Sequence, residues 1–424
     1  MRRTNTFVTV ALLALCLAPP LRADTVGPDV EPELPASVYA KRREKLMNKL
    51  GDCVAALKAA KPADGSAIDP YFYYLTGVKD EGAFLLLAPR ESIYRETLLF
   101  KPRDAEAEIW VGYRETMSPR LQSKYEVDYV GRIRGATPRG LTRAFRHSRC
   151  YADLRPAFAG EPSIPSTALA KYLKAFDVST RQKWQALESM RAVHDDEELL
   201  RMDKAIAITF EGHRAAVRRM AAGVTERQVA GDIESAFYDA GGTGVAFPSI
   251  VATGENGAVL HWRAADTPLG ADDLVVIDIG ASYGEYAADI TRTWPVSGKF
   301  TDEQAQVYET VLAIQQKVID AVKPGVSLDK LHRIAEQATL DAGYELPHGI
   351  GHFVGLEVHD VGDSSAPLEA GMVITVEPGI YIQGKFGIRI EDMIQVTERG
   401  HRHMSVDLPR TVDEIEQYMA QARK

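Results

Sequence analysis

Residues 275–294 read VVIDIGASYGEYAADITRTW, and this stretch places two acidic residues among apolar ones. Asp278 lies in the first apolar run, and Asp289 follows eleven positions later, after a turn signal at Ser282-Tyr283-Gly284. The segments before and after this turn have the pattern of two β-strands that form a hairpin. A carboxylate in a buried strand needs a partner, because an unpaired charge is costly to remove from water.

The same setting recurs further along the chain, around Glu377 in ITVEPGIY and Glu391 in GIRIEDM. Between the two pairs of acids, the Gly-rich stretch 348–360 reads HGIGHFVGLEVHD. No basic run accompanies these acids, so bound cations explain them better than ion pairs do. The candidate metal ligands are four carboxylates and one imidazole, namely Asp278, Asp289, His352, Glu377 and Glu391.

This ligand set carries too much negative charge for one divalent ion, whereas two ions that share two bridging carboxylates would balance it. Such a pair of ions generates a hydroxide nucleophile at neutral pH and polarises a carbonyl group. The oxygen-rich donors favour Mn²⁺. The histidine spacing does not fit an HExxH zinc helix, which leaves one histidine as a ligand and its neighbours as supporting groups.

The second half of the chain contains an internal repeat with an offset of 102 residues. Its landmarks are the matched pairs Gly223-Val224-Thr225 with Gly325-Val326-Ser327, and Asp239-Ala240-Gly241 with Asp341-Ala342-Gly343. In each copy a Thr or Ser is placed to cap a helix that ends at a Gly. The same offset relates Asp289 to Glu391. We therefore expect a pseudo-twofold arrangement that places these two carboxylates on either side of a shared metal pair.

The segments 372–376 and 388–396 are predicted to form the counterpart of the first hairpin. Side chains alternate along a strand, so Asp289 shares a face with Thr291, and Glu391 shares a face with Arg389. Arg389 is therefore expected to enter the same pocket and to orient a carboxylate or a carbonyl group.

The first part of the chain has a different pattern of apolar and polar residues. An amphipathic segment at 37–50 precedes short apolar runs at 83–88, 97–100 and 109–111, which predict strands of a smaller α/β domain. A long helical pattern at 196–220 then opens the second domain. The predicted organisation is a signal peptide at 1–23, a first domain at 24–185, a catalytic domain at 186–410 and a C-terminal tail at 411–424.

The N-terminus has the layout of a secretory signal peptide. Arg2 and Arg3 precede an apolar run at 7–18, and the small residue Ala23 follows Pro19-Pro20. We expect cleavage near Ala23 and export to the periplasm or the medium; the alternative is a membrane-anchoring helix, for which the run is short. The formal net charge of −9 argues against nucleic acids and anionic membranes as partners.

Removal of the signal peptide leaves two cysteines, Cys53 and Cys150. In an exported protein they could form a disulfide, but two separate buried thiols are the preferred expectation. Neither lies near the ligands in sequence, so thiolate catalysis is not expected. The isolated histidines are expected at the surface or at helix caps, namely His147, His194, His213, His332, His401 and His403.

The segments from VVIDIG to GIRIEDM, with the pattern HGxxHxxGxxVHD at 348–360, resemble the metallopeptidase family with the pita-bread fold. That family includes aminopeptidase P, prolidase and methionine aminopeptidase. In the first domain, YFYYLTG at 71–77 and EIWVGYR at 108–114 resemble the N-terminal domain of aminopeptidase P. The resemblance implies an α+β fold, in which a smaller α/β domain precedes a pita-bread domain, and it implies cleavage of an Xaa-Pro bond.

The resemblance also implies roles for individual residues. Asp278 corresponds to a ligand of one metal, His352 and Glu377 to ligands of the other, and Asp289 and Glu391 to bridging ligands. Glu377 is further implied to take a proton from the bridging water.

Among the remaining site residues, the resemblance assigns His359 to the scissile carbonyl and the tetrahedral intermediate, and His261 to substrate binding. Supporting or substrate-contacting positions are implied for His348, Tyr381, Arg389 and Thr291. The expected cofactor is two divalent ions, and the oxygen-rich donors favour manganese. Members of the family also work with Co²⁺ or Zn²⁺, which are the alternatives.

Three functions follow from these expectations. The first is an exported Xaa-Pro aminopeptidase, which acts on peptides with proline at the second position and forms a homo-oligomer, either a dimer or a tetramer. The second is an Xaa-Pro dipeptidase, because the short connection between Glu377 and Glu391 is similar to that of small prolidases. The third is a non-catalytic peptide-binding module, which the presence of all five ligands disfavours. Peptides with proline at the second position differ from other substrates, because the amide of proline has no N–H and the φ angle of proline is fixed.

Overall fold

The computed structural model describes residues 31–60, 68–133, 142–155 and 167–423. The expected signal peptide lies outside the described residues. Within them, no helix is long and apolar enough to cross a membrane.

The N-terminal part of the chain is built on a six-stranded sheet in the order β4-β3-β2-β1-β5-β6. Its strands are β1 (Val54–Lys58), β2 (Phe84–Leu87), β3 (Glu96–Phe100), β4 (Tyr129–Arg132), β5 (Cys150–Asp153) and β6 (Ser179–Gln182). The described helices here are α1 (Ala36–Leu50), α2 (Pro70–Thr76), α3 (Ala105–Val111), α4 (Pro119–Tyr125), α5 (Thr167–Ala175) and α6 (Trp184–Arg191). β1–β2 and β2–β3 are antiparallel, whereas β3–β4, β1–β5 and β5–β6 are parallel, which gives the mixed sheet of an α/β unit.

Local sequence patterns account for most of this part. The amphipathic segment at 37–50 is helix α1, which buries Leu46, Met47 and Leu50 in the core under the sheet. The prediction of a strand at 109–111 is wrong, because these residues end helix α3. Asp104 caps that helix by accepting from the backbone N–H groups at its start, and Ile109 and Trp110 are 80% and 83% exposed. An apolar run at the surface therefore has the wrong burial for a core strand.

The expectation of two separate thiols is also wrong, because Cys53 and Cys150 form a disulfide. Val54 of β1 pairs with Tyr151 of β5 in parallel register, so the cysteines that precede these two residues are neighbours across the sheet. Their Cα atoms lie 4.5 Å apart although the residues are 97 positions apart in sequence. The bond therefore joins distant parts of the chain through adjacent central strands.

The second part contains helices α7 (Asp196–Arg219), α8 (Glu226–Asp239), α9 (Asp302–Ile319), α10 (Leu328–Asp341) and α11 (Val412–Ala422), with a 3₁₀ turn at Gly254–Ala258. Its first strands are β7 (Gly244–Val245), β8 (Ile250–Thr253), β9 (Leu274–Ile279), β10 (Ala281–Tyr283), β11 (Tyr286–Ala287) and β12 (Ile290–Pro295). Its later strands are β13 (Val373–Val376), β14 (Gly379–Ile382), β15 (Phe386–Arg389), β16 (Asp392–Thr397) and β17 (Gly400–His403).

The internal repeat is confirmed by its helices. The bounds of α8 and α10 differ by 102 residues at both ends, since 226 + 102 = 328 and 239 + 102 = 341. Thr225 caps α8 and Ser327 caps α10, each through its side-chain oxygen. Each helix is followed by a glycine in the left-handed region, Gly241 at φ 88° and Gly343 at φ 85°, which favours a residue without a Cβ atom.

The strands that carry the acids are more broken than the sequence indicates. Neither predicted second strand of a hairpin is continuous: 286–294 divides into β11 and β12, and 388–396 divides into β15 and β16. The chain changes sheet partner at each break, from β10 to β9 in the first copy and from β14 to β13 in the second. Asp289 and Glu391 lie in these two breaks, at equivalent places of the repeat.

The main core lies between helices α7, α8 and α11 and the strands of the second part. Helices α7 and α8 pack closely because Gly212 has no side chain: a Cβ atom there would lie 2.3 Å from a ring carbon of Phe237. The expected C-terminal tail belongs to this core, because Ile415 and Met419 of α11 are fully buried. Their spacing of four residues gives the helix the apolar face by which it packs.

Candidate metal centre

One cavity, of about 450 Å³, is lined by all five predicted metal ligands. His261, His348, His359 and Arg389 line it as well. Tyr381 and Thr291 lie behind this surface and reach it through hydrogen bonds to Arg389. The structure therefore gathers residues from four strands, from the short breaks between strands and from two loops at one place.

Three of the four carboxylates, those of Asp289, Glu377 and Glu391, lie close to the imidazole of His352. Its Nε2 lies 3.3 Å from Oδ2 of Asp289 and 3.6 Å from Oε1 of Glu377. One ligand atom each from Asp289, His352 and Glu391 lies within 4.8 Å of the others. Asp278 is turned toward Arg389, whose Nη2 donates to its Oδ2 at 2.7 Å. Asp278 therefore lines the cavity beside this cluster.

Thr375 holds two of the ligands together, and sequence reasoning missed it. Its hydroxyl accepts from the backbone N–H of His352 at 3.0 Å and donates to Oε1 of Glu377 at 3.3 Å. Its backbone N–H donates to the carbonyl oxygen of His352 at 2.9 Å. The available signal was its place two residues before Glu377 in strand β13, where alternate side chains share a face.

The carboxylates repel one another strongly in this buried place. Burial and the neighbouring acids raise the pKa of Asp289 and of Glu391 well above the ordinary range. Burial also raises the pKa of Glu377 to about 8. Among the described residues, Oδ1 of Asp278 and Oδ1 of Asp289 are buried without a hydrogen-bond partner. Oxygen atoms of this kind fit divalent cations, which remove the repulsion and supply the missing contacts.

Three histidines of the cavity, His348, His352 and His359, favour their neutral forms. Burial lowers the pKa of His348 and of His352 to about 4, and it also lowers the pKa of His359. The rings of His352 and His359 lie edge to face, with centroids 4.3 Å apart. A neutral imidazole has a free lone pair, so His352 is suited to bind a metal ion.

Behind the ligands, hydrogen bonds connect the two halves of the repeat. The hydroxyl of Thr291 donates to Oε2 of Glu391 at 2.7 Å and accepts from Nε of Arg389. Arg389 also donates to the hydroxyl of Tyr381 at 3.0 Å, and that oxygen lies 2.9 Å from Nε2 of His348. Arg389 thus connects ligands that lie on both sides of the pseudo-twofold.

Sequence reasoning also missed a buried ion pair beneath the site, between Arg292 and Asp392 at 2.8 Å. Arg292 donates to the carbonyl oxygens of Thr291 and Glu391, so it holds strands β12 and β16 at the residues that carry the site. Asp392 accepts from Ser405 and Gln315. The signal was present, because each residue is a charge inside an apolar strand next to a site residue.

Residues that enter from the interdomain segment anchor the loop that carries His352 and His359. Arg191 is buried and donates to Glu357 at 2.9 Å and to Asp360, both in this loop. Its guanidinium lies 4.7 Å from the ring centroid of Tyr71 of the N-terminal part. The loop is therefore held from the side of the first domain.

Two of the histidines expected at the surface or at helix caps, His194 and His213, are buried instead. Nε2 of His194 lies 2.9 Å from the carbonyl oxygen of Val354, in the same loop. His213 contacts the carbonyl oxygen of Ile290 and the ring of Trp294. Burial lowers the pKa of His213 to about 3, so it stays neutral as a packed residue of α7. A single histidine on a helical face gives no sign in sequence of which side is buried.

Comparison with known proteins agrees with this arrangement. Residues 201–398 match the model of metallopeptidase family M24, and residues 39–139 match that of the aminopeptidase P N-terminal domain. The Xaa-Pro aminopeptidase of Haemophilus influenzae is 32% identical over 83% of this chain and 88% of its own length. That of Escherichia coli is 31% identical over 92% of this chain and 99% of its own.

The chain belongs to metallopeptidase family M24. It is a metallo-aminopeptidase with a pita-bread domain, which confirms the resemblance and the α+β fold predicted from the sequence. Aminopeptidase PepP of Pseudomonas aeruginosa superimposes with a TM-score of 0.81 at 28% identity, over 92% of this chain and 99% of that chain. Escherichia coli aminopeptidase P with the inhibitor Pro-Leu gives a TM-score of 0.80 at 28% identity, with the same coverage.

Metal ions should stabilise this M24 enzyme strongly, because they neutralise buried carboxylates that repel one another. Chelator-treated protein should gain roughly 5–10 °C in Tm when Mn²⁺ is added at about 100 times its Kd, by mass action on the folded state. Glu391→Gln should lose most of this gain, whereas Glu309→Gln on the exposed face of α9 should keep it. Equal gains in both variants, measured by calorimetry, would show that these acids do not bind the added metal.

Proposed function

We propose that the protein is an exported, dinuclear metallo-exopeptidase that hydrolyses the Xaa-Pro bond at the N-terminus of peptides. The observation that carries this proposal is the convergence of four carboxylates and His352 in one cavity, next to His261 and His359. Relatives that cover most of the chain are named Xaa-Pro aminopeptidase, and they support this choice of substrate.

In this proposal the five ligands bind two divalent ions, with Mn²⁺ preferred over Co²⁺ and Zn²⁺. Asp278 would hold one ion, His352 and Glu377 would hold the other, and Asp289 and Glu391 would be shared by the two. When bound, the two ions supply a hydroxide nucleophile near neutral pH and polarise the scissile carbonyl group. The Oδ1 atoms of Asp278 and Asp289 support this assignment, because each is buried without a hydrogen-bond partner among the described residues.

The remaining residues bind the substrate and handle protons. Glu377 accepts the proton of the attacking water, because its carboxylate lines the cavity beside His352. His359 donates a hydrogen bond to the carbonyl oxygen as negative charge develops there, and His261 binds the peptide from the opposite loop. Arg389, with Tyr381, fixes the orientation of Asp278.

The second candidate, an Xaa-Pro dipeptidase, is favoured by the short β14–β15 hairpin between Glu377 and Glu391. A dipeptidase has to recognise the free carboxylate of proline, whereas an aminopeptidase leaves the chain beyond proline in the open. The N-terminal part of the chain, which matches the aminopeptidase P domain, supports the aminopeptidase.

Substrate length decides between the two. The enzyme should release free alanine from Ala-Pro-Ala-Ala with a kcat/KM at least equal to that for Ala-Pro, and it should leave Ala-Ala-Ala-Ala intact. The products are identified by mass spectrometry at equal substrate concentrations. Cleavage of Ala-Pro alone would establish the dipeptidase, and cleavage of the proline-free peptide would exclude both proposals.

His359→Ala should keep the metals but lose turnover, since His359 contacts the reacting carbonyl group and is not a ligand. Loss of one such donor lowers kcat by about 10²–10³-fold. The control is His147→Ala, at an exposed position of the first domain. Elemental analysis accompanies the kinetics, and either normal kcat or lost metal in His359→Ala would contradict the role.

We further propose that the mature protein starts near Asp24, is exported, and forms a homo-oligomer. Arg2-Arg3, the apolar run and Ala23 support export, as does the disulfide between Cys53 and Cys150, since disulfides persist in oxidising compartments. N-terminal sequencing of protein from the native host should begin near Asp24, in the exported fraction. A cytoplasmic protein that retains residues 7–18 would contradict export.

A further inference from the structure

The loop that follows β8 is held rigidly from behind by one buried carboxylate. Glu226, at the start of α8, is fully buried and accepts four hydrogen bonds at 2.8–3.0 Å. The donors are the backbone N–H groups of Thr253 and Ala265 and the side chains of Asn256 and Trp262. Two of these donors, Trp262 and Ala265, flank Arg263 in sequence. The backbone that carries Arg263 is therefore fixed on both sides.

Arg263 lines the same cavity as the metal ligands and is exposed. The described part of the chain gives its side chain neither a hydrogen bond nor an ion pair. The cavity wall has a second arginine, Arg389, which is 3% exposed and bonded to Asp278, Tyr381 and Thr291. The guanidinium of Arg389 thus donates its hydrogen bonds to other side chains of the protein, whereas that of Arg263 is available to a ligand.

The cavity separates opposite charges. The carboxylates of Asp278, Asp289 and Glu391 are at most 8% exposed, so they lie at the inner end, and the exposed Arg263 lies at the outer end. Much of the wall is apolar and offers no competing acid, with Phe247, Pro248, Ile250, Leu260 and Val358. A peptide whose reacting bond lies at the inner end and whose chain continues outward would pass Arg263 on the leaving side of that bond.

We propose that Arg263 is a specificity-determining residue that binds a carboxylate of the substrate on the leaving side of the scissile bond. This inference rests on the proposed function. A guanidinium binds a carboxylate through two parallel N–H···O bonds, and it repels an amino group. The carboxylate comes either from the C-terminus of a short peptide or from an Asp or Glu side chain that follows proline.

Two pairs of substrates distinguish these sources. The first pair is Ala-Pro-Ala as the free acid and as the amide, and the second is Ala-Pro-Asp-Ala-amide and Ala-Pro-Asn-Ala-amide. The Mn²⁺-loaded enzyme should prefer the carboxylate in at least one pair by about 5–10-fold in kcat/KM, the range for one partly exposed charged hydrogen bond. The pair that shows the preference identifies the source.

Arg263→Gln should remove this preference, and Arg263→Glu should reverse it toward Ala-Pro-Lys-Ala-amide. The matched control is Arg227→Gln, because Arg227 is an exposed arginine whose partner is Asp266 and which does not line the cavity. It should keep the wild-type ratio. A Tm that still rises with Mn²⁺ shows that the Arg263 variants are folded and bind metal.

The outcomes separate the two proposals. If wild-type enzyme cleaves the proline peptides but its ratio is near one, or is unchanged by Arg263→Gln, the inference about Arg263 is overturned and the proposed function stands. If wild-type enzyme cleaves none of the proline peptides, the proposed function fails and the inference fails with it.

Discussion

The repulsion among four buried carboxylates is the constraint on which the rest of this structure depends. Asp278, Asp289, Glu377 and Glu391 line one cavity, and burial together with the neighbouring acids raises the pKa of Asp289 and Glu391 well above the ordinary range. The strands that carry these carboxylates must therefore be held in place by interactions elsewhere. The Arg292–Asp392 pair, the hydroxyl of Thr291 and the guanidinium of Arg389 provide this, because each joins the two halves of the repeat beneath the site.

The internal repeat explains how carboxylates from two distant parts of the sequence are brought to the same cavity. The two copies place a strand break at equivalent positions, and a break frees a side chain from the sheet while the flanking residues stay paired. Asp289 and Glu391 occupy these breaks and face each other across the pseudo-twofold. Adjacent residues of one continuous strand point to opposite faces, so a single unbroken strand offers fewer side chains to one side of the sheet.

The sequence was sufficient for the features that local chemistry determines. Acids within apolar runs, helix caps at Thr225 and Ser327 and the offset of 102 residues predicted the repeat and the residues that the cavity gathers. It was insufficient where the decisive partner is distant. The pairing of Cys53 with Cys150 depends on strand order, and the buried contacts of His194 and His213 are with Val354 and Ile290, far along the chain. The apolar run at 109–111 led to the wrong prediction of a strand, because hydrophobicity alone does not show whether a residue is buried.

The anchoring of the histidine loop has a consequence for how the molecule moves. Residues 352–360 are bonded to Arg191 and His194, which lie in the segment between the domains. The guanidinium of Arg191 also packs over the ring of Tyr71 in the first domain. Local opening of that loop therefore requires these contacts to separate as well. We therefore expect the backbone amides of residues 352–360 to open together with the domain junction. The rate at which their hydrogens exchange with solvent would then report on the contact between the two domains.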